Sequence, residues 1–153
     1  MKAINVNGTI KTYTNLKSFG GAIGLQYASD SDLEAMGFYD VVTPSVNPSQ
    51  ELGDIEWDAD NNVFTYPVVN KVFSETLSDL REQKIENLKS IYNVKLSKTD
   101  WYVHRKAELG TAIPQDVLDA RAAFRTECST KEAEIIALNT KADIIDYELP
   151  NIN

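Results

Sequence analysis

Apolar and polar residues alternate in short runs along the first seventy residues, which is the period of a strand with one buried face. Two runs flank Asn7-Gly8, the dipeptide that best tolerates the positive φ angles of a type I′ turn. This pattern predicts an opening β-hairpin. A second hairpin is predicted over 54–66, where alternating runs lie on both sides of the turn-forming residues 58–62.

Between the hairpins, Ser29 precedes a short run that ends at Gly37, which predicts a capped helical turn. The residues from Phe38 to Val42 are β-like. Two small hairpins bury little area, so we expect these strands to add to each other, to helices, or to another chain.

The period changes to about 3.6 residues in the second half of the chain, which is typical of amphipathic helices. We expect a long helix over about 72–93 and a second that begins after Thr99 and finishes at Gly110. A third helix is predicted from Pro114 to about Thr140. The residues that follow show no clear period.

The resulting fold class is α+β: a small β-rich N-terminal part built of hairpins, followed by an antiparallel helical bundle or helical hairpin of about three helices. We expect a β-rich acidic interaction domain at 1–70, a helical domain at 71–143 and an extended tail at 144–153.

Charge and composition remove several classes of function. Residues 1–72 hold nine acidic residues against four lysines, which accounts for −5 of the total net charge of −8. Such a surface repels phosphate backbones, so we expect no nucleic-acid binding. The start of the chain lacks the apolar run of a signal peptide, and no run is long enough for a membrane span. Cytosolic synthesis is expected, and no membrane association.

Candidate catalytic and metal-binding motifs fail on their spacing. Residues 58–62 begin like a calcium loop, D-x-D-x-N, but Val63 and Val69 stand where an EF-hand needs Gly and Glu, so a solvated turn is favoured. His104 is the only histidine and Cys128 the only cysteine, and each is interpreted as an ordinary surface or core residue. We therefore expect no enzyme activity, no cofactor and no metal site.

Two alternatives of other classes stay open. A small hydrolase would use acidic residues such as Asp54, Glu56 and Asp58. An acidic binding protein would instead mimic DNA with its negative face and bind a basic protein.

Aromatic and arginine residues provide the positive evidence for an interaction protein, because Trp, Tyr and Arg are common interface anchors. The small β-part can hardly bury all of its own aromatic residues, although core packing competes for each one. The candidate partner-binding residues are Phe38, Tyr39, Trp57, Phe64, Tyr66, Trp101, Tyr102, Arg105, Arg121 and Arg125.

Part of this set lies in a pattern that resembles a known family. Thr99-Asp100-Trp101, then Ile113-Pro114, then Arg121-Ala122-Ala123-Phe124-Arg125, resembles the T-D-W … I-P … Y-R-x-x-L-R pattern of phage tail assembly chaperones. The stretch from Met36 through Leu52-Gly53-Asp54-Ile55 to Val68 resembles the N-terminal regions of small tail-fibre-associated proteins.

The resemblance implies a helper that binds a tail, tail-fibre or baseplate polypeptide during assembly in the bacterial host cytoplasm. It also implies that such a protein sometimes stays in the virion as a structural component. It implies no catalytic residues. The β-part is then expected to bind the partner, with strand addition as one mode of binding, while the helices brace it or form a homo-oligomer.

Overall fold

The computed structural model describes residues 1–152, and the chain divides into two compact units, Met1–Lys71 and Val72–Asn153. Strands and one short helix form the first unit, and helices form the second. The α+β class is thus confirmed, with the β-sheets N-terminal and the helices C-terminal. The division falls next to the predicted one at residues 70 and 71.

The strands of the first unit are short. In chain order they are β1 (Lys2–Val6), β2 (Thr9–Tyr13), β3 (Ser18–Phe19), β4 (Ala22–Ile23), β5 (Tyr39–Val42), β6 (Gln50–Leu52), β7 (Glu56–Asp58), β8 (Val63–Thr65) and β9 (Val68–Asn70). Five of them form one sheet in the order β2-β1-β5-β8-β7, while β3 pairs with β4 and β6 pairs with β9.

Both predicted hairpins are present and share the five-stranded sheet. The β1–β2 turn has positive φ at Asn7 (52°) and Gly8 (84°), as the sequence predicts. Strand β5 lies between the hairpins, because it pairs antiparallel with β1 and parallel with β8. A strand from the middle of the unit therefore joins two hairpins that are each local in sequence.

One face of the sheet covers the main core of the unit. Ile4, Leu16, Leu25, Leu33 and Phe38 form this core. Leu25 lies in a 3-10 helix (Leu25–Tyr27), and Leu33 lies in helix α1 (Asp30–Ala35), which is capped by the Ser29 side chain. Phe38 is fully buried and makes edge-to-face contacts with the rings of Tyr13 and Phe19.

An ion-pair cluster ties three elements together beside this core. Lys2 Nζ lies 2.7 Å from Asp30 Oδ1 and 3.1 Å from Asp40 Oδ2, which joins β1 to α1 and β5. Burial alone would lower the pKa of Lys2, but the hydrogen bonds to both carboxylates outweigh it and raise that pKa. The hydrogen bond from Lys2 likewise lowers the pKa of Asp30.

The second unit consists of helices α2 (Leu77–Ser97), α3 (Asp100–Leu109), α4 (Gln115–Ala137) and α5 (Lys141–Asp146). Helix α4 runs antiparallel to α2: Arg81 near the start of α2 donates a hydrogen bond to the Leu138 carbonyl, and Arg121 near the start of α4 donates one to the Leu96 carbonyl. Leu88, Tyr92 and Ile135 are the buried centre of this unit.

Two sequence-based expectations for the helix boundaries need correction. The first long helix begins at Leu77, not near residue 72, because Thr76 and Asp79 form a reciprocal capping box. The extended tail predicted for 144–153 is wrong at its start, since α5 continues to Asp146 and Ile144 is fully buried. A six-residue helix is too short to show a period, and Thr140 caps it.

Helix α3 has the predicted ends, with Thr99 before it and Gly110 in the left-handed conformation after it. It does not join the core of the unit, however, because none of its residues is buried. Among the described residues, the packed bundle is therefore made by α2, α4 and α5, and α3 connects the two long helices.

Candidate interaction surfaces

The second face of the five-stranded sheet carries an aromatic group, which we call the aromatic face: Tyr39, Trp57 and Phe64. Trp57 on β7 lies directly opposite Phe64 on β8, with ring centroids 5.0 Å apart. The Tyr39 ring is 4.6 Å from that of Trp57. Successive side chains of a strand alternate between faces, so Tyr39 is turned away from the core that contains its neighbour Phe38.

A cleft of about 400 Å³ opens beside the aromatic face. The three aromatic side chains line it together with Ile4, Asn5, Met36 and Gly37. Trp57 is 38% exposed, whereas Phe64 is only 2% exposed and makes an edge contact with the Trp57 ring. That Met36 and Gly37 line this cleft was not predicted from the sequence. The available signal was their position at a helix end directly before β5.

Strand β7 forms one edge of the sheet and leads into the turn that resembles a calcium loop. The Asp58 carboxylate accepts hydrogen bonds from the backbone N–H of Asp60 (3.0 Å) and Asn61 (3.2 Å) and from the Asn61 side chain (2.8 Å). The Asn61 side-chain hydrogen bond is the main reason why the pKa of Asp58 is lowered. These contacts show that residues 58–62 form a hairpin turn, which the spacing of residues 58–69 predicts.

Helix α3 presents a second aromatic surface, in the helical unit. Trp101 is 51% exposed, and its ring centroid lies 3.8 Å from that of the half-buried Tyr102. The Arg105 guanidinium lies 5.8 Å from the Trp101 ring, within range of a cation–π contact. Leu109 at the end of the helix is 73% exposed. Indole, guanidinium and aliphatic groups thus face outward on one short helix.

Between α2 and α4 lies a shallow groove of about 280 Å³, lined by Lys89, Tyr92, Asn93, Leu96, Phe124, Arg125, Cys128 and Ser129. Lys95 Nζ lies 5.2 Å from the Tyr92 ring and 5.7 Å from the Phe124 ring. Burial raises the pKa of the Cys128 thiol, which keeps it protonated near neutral pH. The groove therefore combines an aromatic floor with cationic groups and an unactivated cysteine.

Three candidate binding residues are structural. Phe38 belongs to the core of the first unit, and Phe64 is only 2% exposed although it forms part of the cleft lining, so neither is an exposed anchor. Both were assigned to an interface because alternation alone does not say which face of a strand is covered.

Arg121 is the third. It is 8% exposed, and its guanidinium contacts Leu96, Thr99 and Asp100. The remaining candidates stay accessible to different degrees. Tyr39, Tyr66 and Tyr102 are half-buried, and Trp57, Trp101, Arg105 and Arg125 are exposed.

Within residues 1–152, the acidic residues considered for hydrolysis do not form a shared metal-binding group with one another or with His and Cys side chains. Asp54 and Glu56 are exposed, and Asp58 is engaged in its turn. His104 is exposed on α3. Across residues 1–152, no three His, Cys, Asp or Glu side chains are grouped so that they could hold a metal ion.

The same part of the chain contains no helix long and apolar enough to cross a membrane. Comparison with known proteins yields no matching family model, no matching curated protein and no matching solved structure.

Proposed function

We propose that this chain is an accessory protein of a bacteriophage tail or tail fibre. It binds a tail, fibre or baseplate polypeptide in the cytoplasm of the bacterial host during assembly. The support has two parts: the motif resemblance of residues 99–125, and the surfaces that the two units expose.

The exposure of Trp101 is the observation that carries the proposal. Trp101 lies in the Thr99-Asp100-Trp101 segment that resembles the chaperone family, and half of its surface meets solvent. An isolated ten-residue helix is marginal in water, and α3 gains little from its own bundle because it buries no residue. A partner that covered Trp101 would supply the packing that this helix lacks.

Other residues of the same motif hold the helix in place. Arg121 Nη1 donates to the Leu96 carbonyl and to Thr99 Oγ1, each at 2.7 Å, and lies 2.9 Å from Asp100 Oδ1. We infer a division of labour in which Arg121 fixes the start of α3 and Trp101 contacts the partner. This arrangement explains why both residue types occur in one short motif.

The test is affinity purification of the tagged full-length chain from infected cells, followed by mass spectrometry. We expect a tail, fibre or baseplate polypeptide to be recovered with the wild-type chain. Trp101→Ala should reduce that recovery at least about tenfold, the loss typical of a central aromatic anchor. His104→Ala, an exposed residue of the same helix, is the matched control and should leave recovery unchanged.

Recovery of no tail polypeptide, together with normal tail and fibre yield after deletion of the gene, would contradict the proposal. Mass spectrometry of purified virions separates its two forms. Peptides of the chain in intact particles indicate a resident component, and their absence indicates a chaperone that is released.

A further inference from the structure

The outer edge of β7 is a place where the five-stranded sheet can be extended. This strand ends the sheet order, and all three of its residues are exposed or half-buried. An edge strand presents backbone N–H and C=O groups that can pair with another extended chain. Trp57 of this edge strand is 38% exposed, and the cleft that it lines extends inward from β7 toward β5 and β1.

The two sides of β7 differ in chemistry. Trp57 lies on the side of the cleft, and its neighbours Glu56 and Asp58 lie on the other side because strand side chains alternate. In an added strand, the residue paired with Trp57 would lie on the same side of the sheet as Trp57, and the residues before and after it would face the carboxylates.

The negative charge of this edge indicates which of two partners it can bind, a second copy of this chain or a strand of another polypeptide. Glu56, Asp54 and Asp60 are exposed, and Glu56 has no ion-pair partner within residues 1–152. A second copy of the same edge would place carboxylates opposite carboxylates, which is destabilising in a sheet. A strand with lysine or arginine at those positions would instead be attracted.

We propose that the β7 edge binds an extended segment in which one apolar residue is flanked on both sides by lysine or arginine. The segment adds to the sheet as a strand, its apolar side chain packs against the exposed Trp57 ring, and its cations meet Glu56 and Asp58. This inference rests on the proposed function for the source of the segment, which is the tail or fibre polypeptide.

The short length of β7 determines which interactions supply the binding affinity. Three residues provide few main-chain hydrogen bonds, so burial of the apolar side chain must supply much of the affinity. The flanking cations then fix the register, because a shift by one residue would turn them toward Trp57 and the apolar residue toward the carboxylates.

The experiment uses the full chain carrying Trp101→Phe, in which Trp57 is the only tryptophan. Its fluorescence is titrated with the blocked peptide Thr-Arg-Phe-Arg-Thr and with the control peptide Thr-Glu-Phe-Glu-Thr. We expect the arginine peptide to bind at least about tenfold more tightly, because its charges are complementary to the edge. Glu56→Lys should weaken the arginine peptide by a similar factor, whereas Glu75→Lys, an exposed acid of the helical unit, should not.

A third peptide tests strand addition itself. Methylation of alternate backbone nitrogens of the arginine peptide removes donors that a strand needs but keeps every side chain and charge. We expect this peptide to lose binding. Amide NMR shifts of the unsubstituted chain at residues 55–58 provide a second readout that does not depend on the Trp101 substitution.

Three results would overturn the inference: no binding of the arginine peptide up to about 1 mM, equal binding of the acidic peptide, or undiminished binding after methylation. Loss of the peptide interaction with intact recovery of a tail polypeptide would remove the β7 site and leave the proposed function in place. Peptide binding without recovery of any tail polypeptide would leave the β7 site in place and remove the proposed function.

Discussion

Arg121 Nη1 lies 2.9 Å from Asp100 Oδ1, so a nearly buried guanidinium on α4 meets the first residue of α3. The same nitrogen donates to the last turn of α2, through the Leu96 carbonyl, and to Thr99. One side chain therefore joins three successive helices at the point where the chain turns.

Removing this side chain should cost stability in the helical unit. We expect Arg121→Met to lower its free energy of unfolding by about 2–4 kcal/mol, because buried hydrogen-bonding groups lose their partner while the half-exposed Asp100 is resolvated. Denaturant unfolding followed by Trp101 fluorescence in a Trp57→Phe background measures the change. Arg125→Met, one helical turn away and exposed, should cost less than about 0.5 kcal/mol. Equal effects of the two substitutions would refute the junction role.

Adjacent isoleucines give a matched test of the bundle core. Ile135 is fully buried against Leu88 and Tyr92, whereas Ile136 is 55% exposed. We expect Ile135→Ala to destabilise the unit by about 2–5 kcal/mol, through lost burial and a residual cavity, and Ile136→Ala by less than about 1 kcal/mol. The same denaturation experiment reports both values, and a reversed order would mean that α4 is rotated from the position described.

The placement of Phe38 in the core has its own test. Phe38→Ala should lower the stability of the first unit by about 3–5 kcal/mol, since the ring is fully buried between Tyr13 and Phe19. Met36→Ala, at a side chain 39% exposed, should cost less than about 1.5 kcal/mol. Trp57 fluorescence in the Trp101→Phe background follows the unfolding. A small effect of Phe38→Ala would mean that Phe38 is not part of the core and is again a candidate for a binding surface.

The helical unit should lose stability at alkaline pH. Burial, assisted by the hydrogen bond that the Tyr147 hydroxyl donates to Glu134, raises the pKa of Tyr147 to about 12. The folded state therefore holds this proton more tightly than the unfolded state, where the pKa is near its ordinary value of 10.0. The contribution is complete below that value and is lost as pH rises toward 12.

Urea denaturation at a series of pH values from about 9 to 11.5 measures this dependence. Tyr147→Phe should make the decline shallower but not remove it, because burial also raises the pKa of Tyr92 to about 12. Glu134→Gln removes the charged acceptor and should reduce the decline in the same direction. Identical slopes for the wild type and Tyr147→Phe would disprove the assignment.

Features with a local cause were predictable from the sequence. Asn7-Gly8 fixes the first hairpin turn, and the ends of α3 follow from Thr99 and Gly110. The long helices follow from their apolar period, although the start of α2 was misplaced because its capping box was not recognised. These elements depend on interactions within a few residues.

Features that depend on distant partners were not predictable. The parallel pairing of β5 with β8 joins Val41 to Phe64, and nothing in either segment specifies that neighbour. The same limit explains the site residues. Phe38 and Tyr39 are adjacent aromatic residues, and only the pairing of β5 decides that one enters the core and the other faces the cleft. Arg121 was a candidate partner-binding residue because its intrachain partners are more than twenty residues away in the sequence.

The position of β5 between the two hairpins also bears on the order of synthesis. Each hairpin can close as soon as its own residues are available, but the sheet becomes continuous only after β8 has been made. All of its strands precede Val72, so the emerging chain can complete this unit while the helices are still being translated. Once the chain has emerged from the ribosome beyond Val72, it can already display the edge of β7 to whatever is nearby.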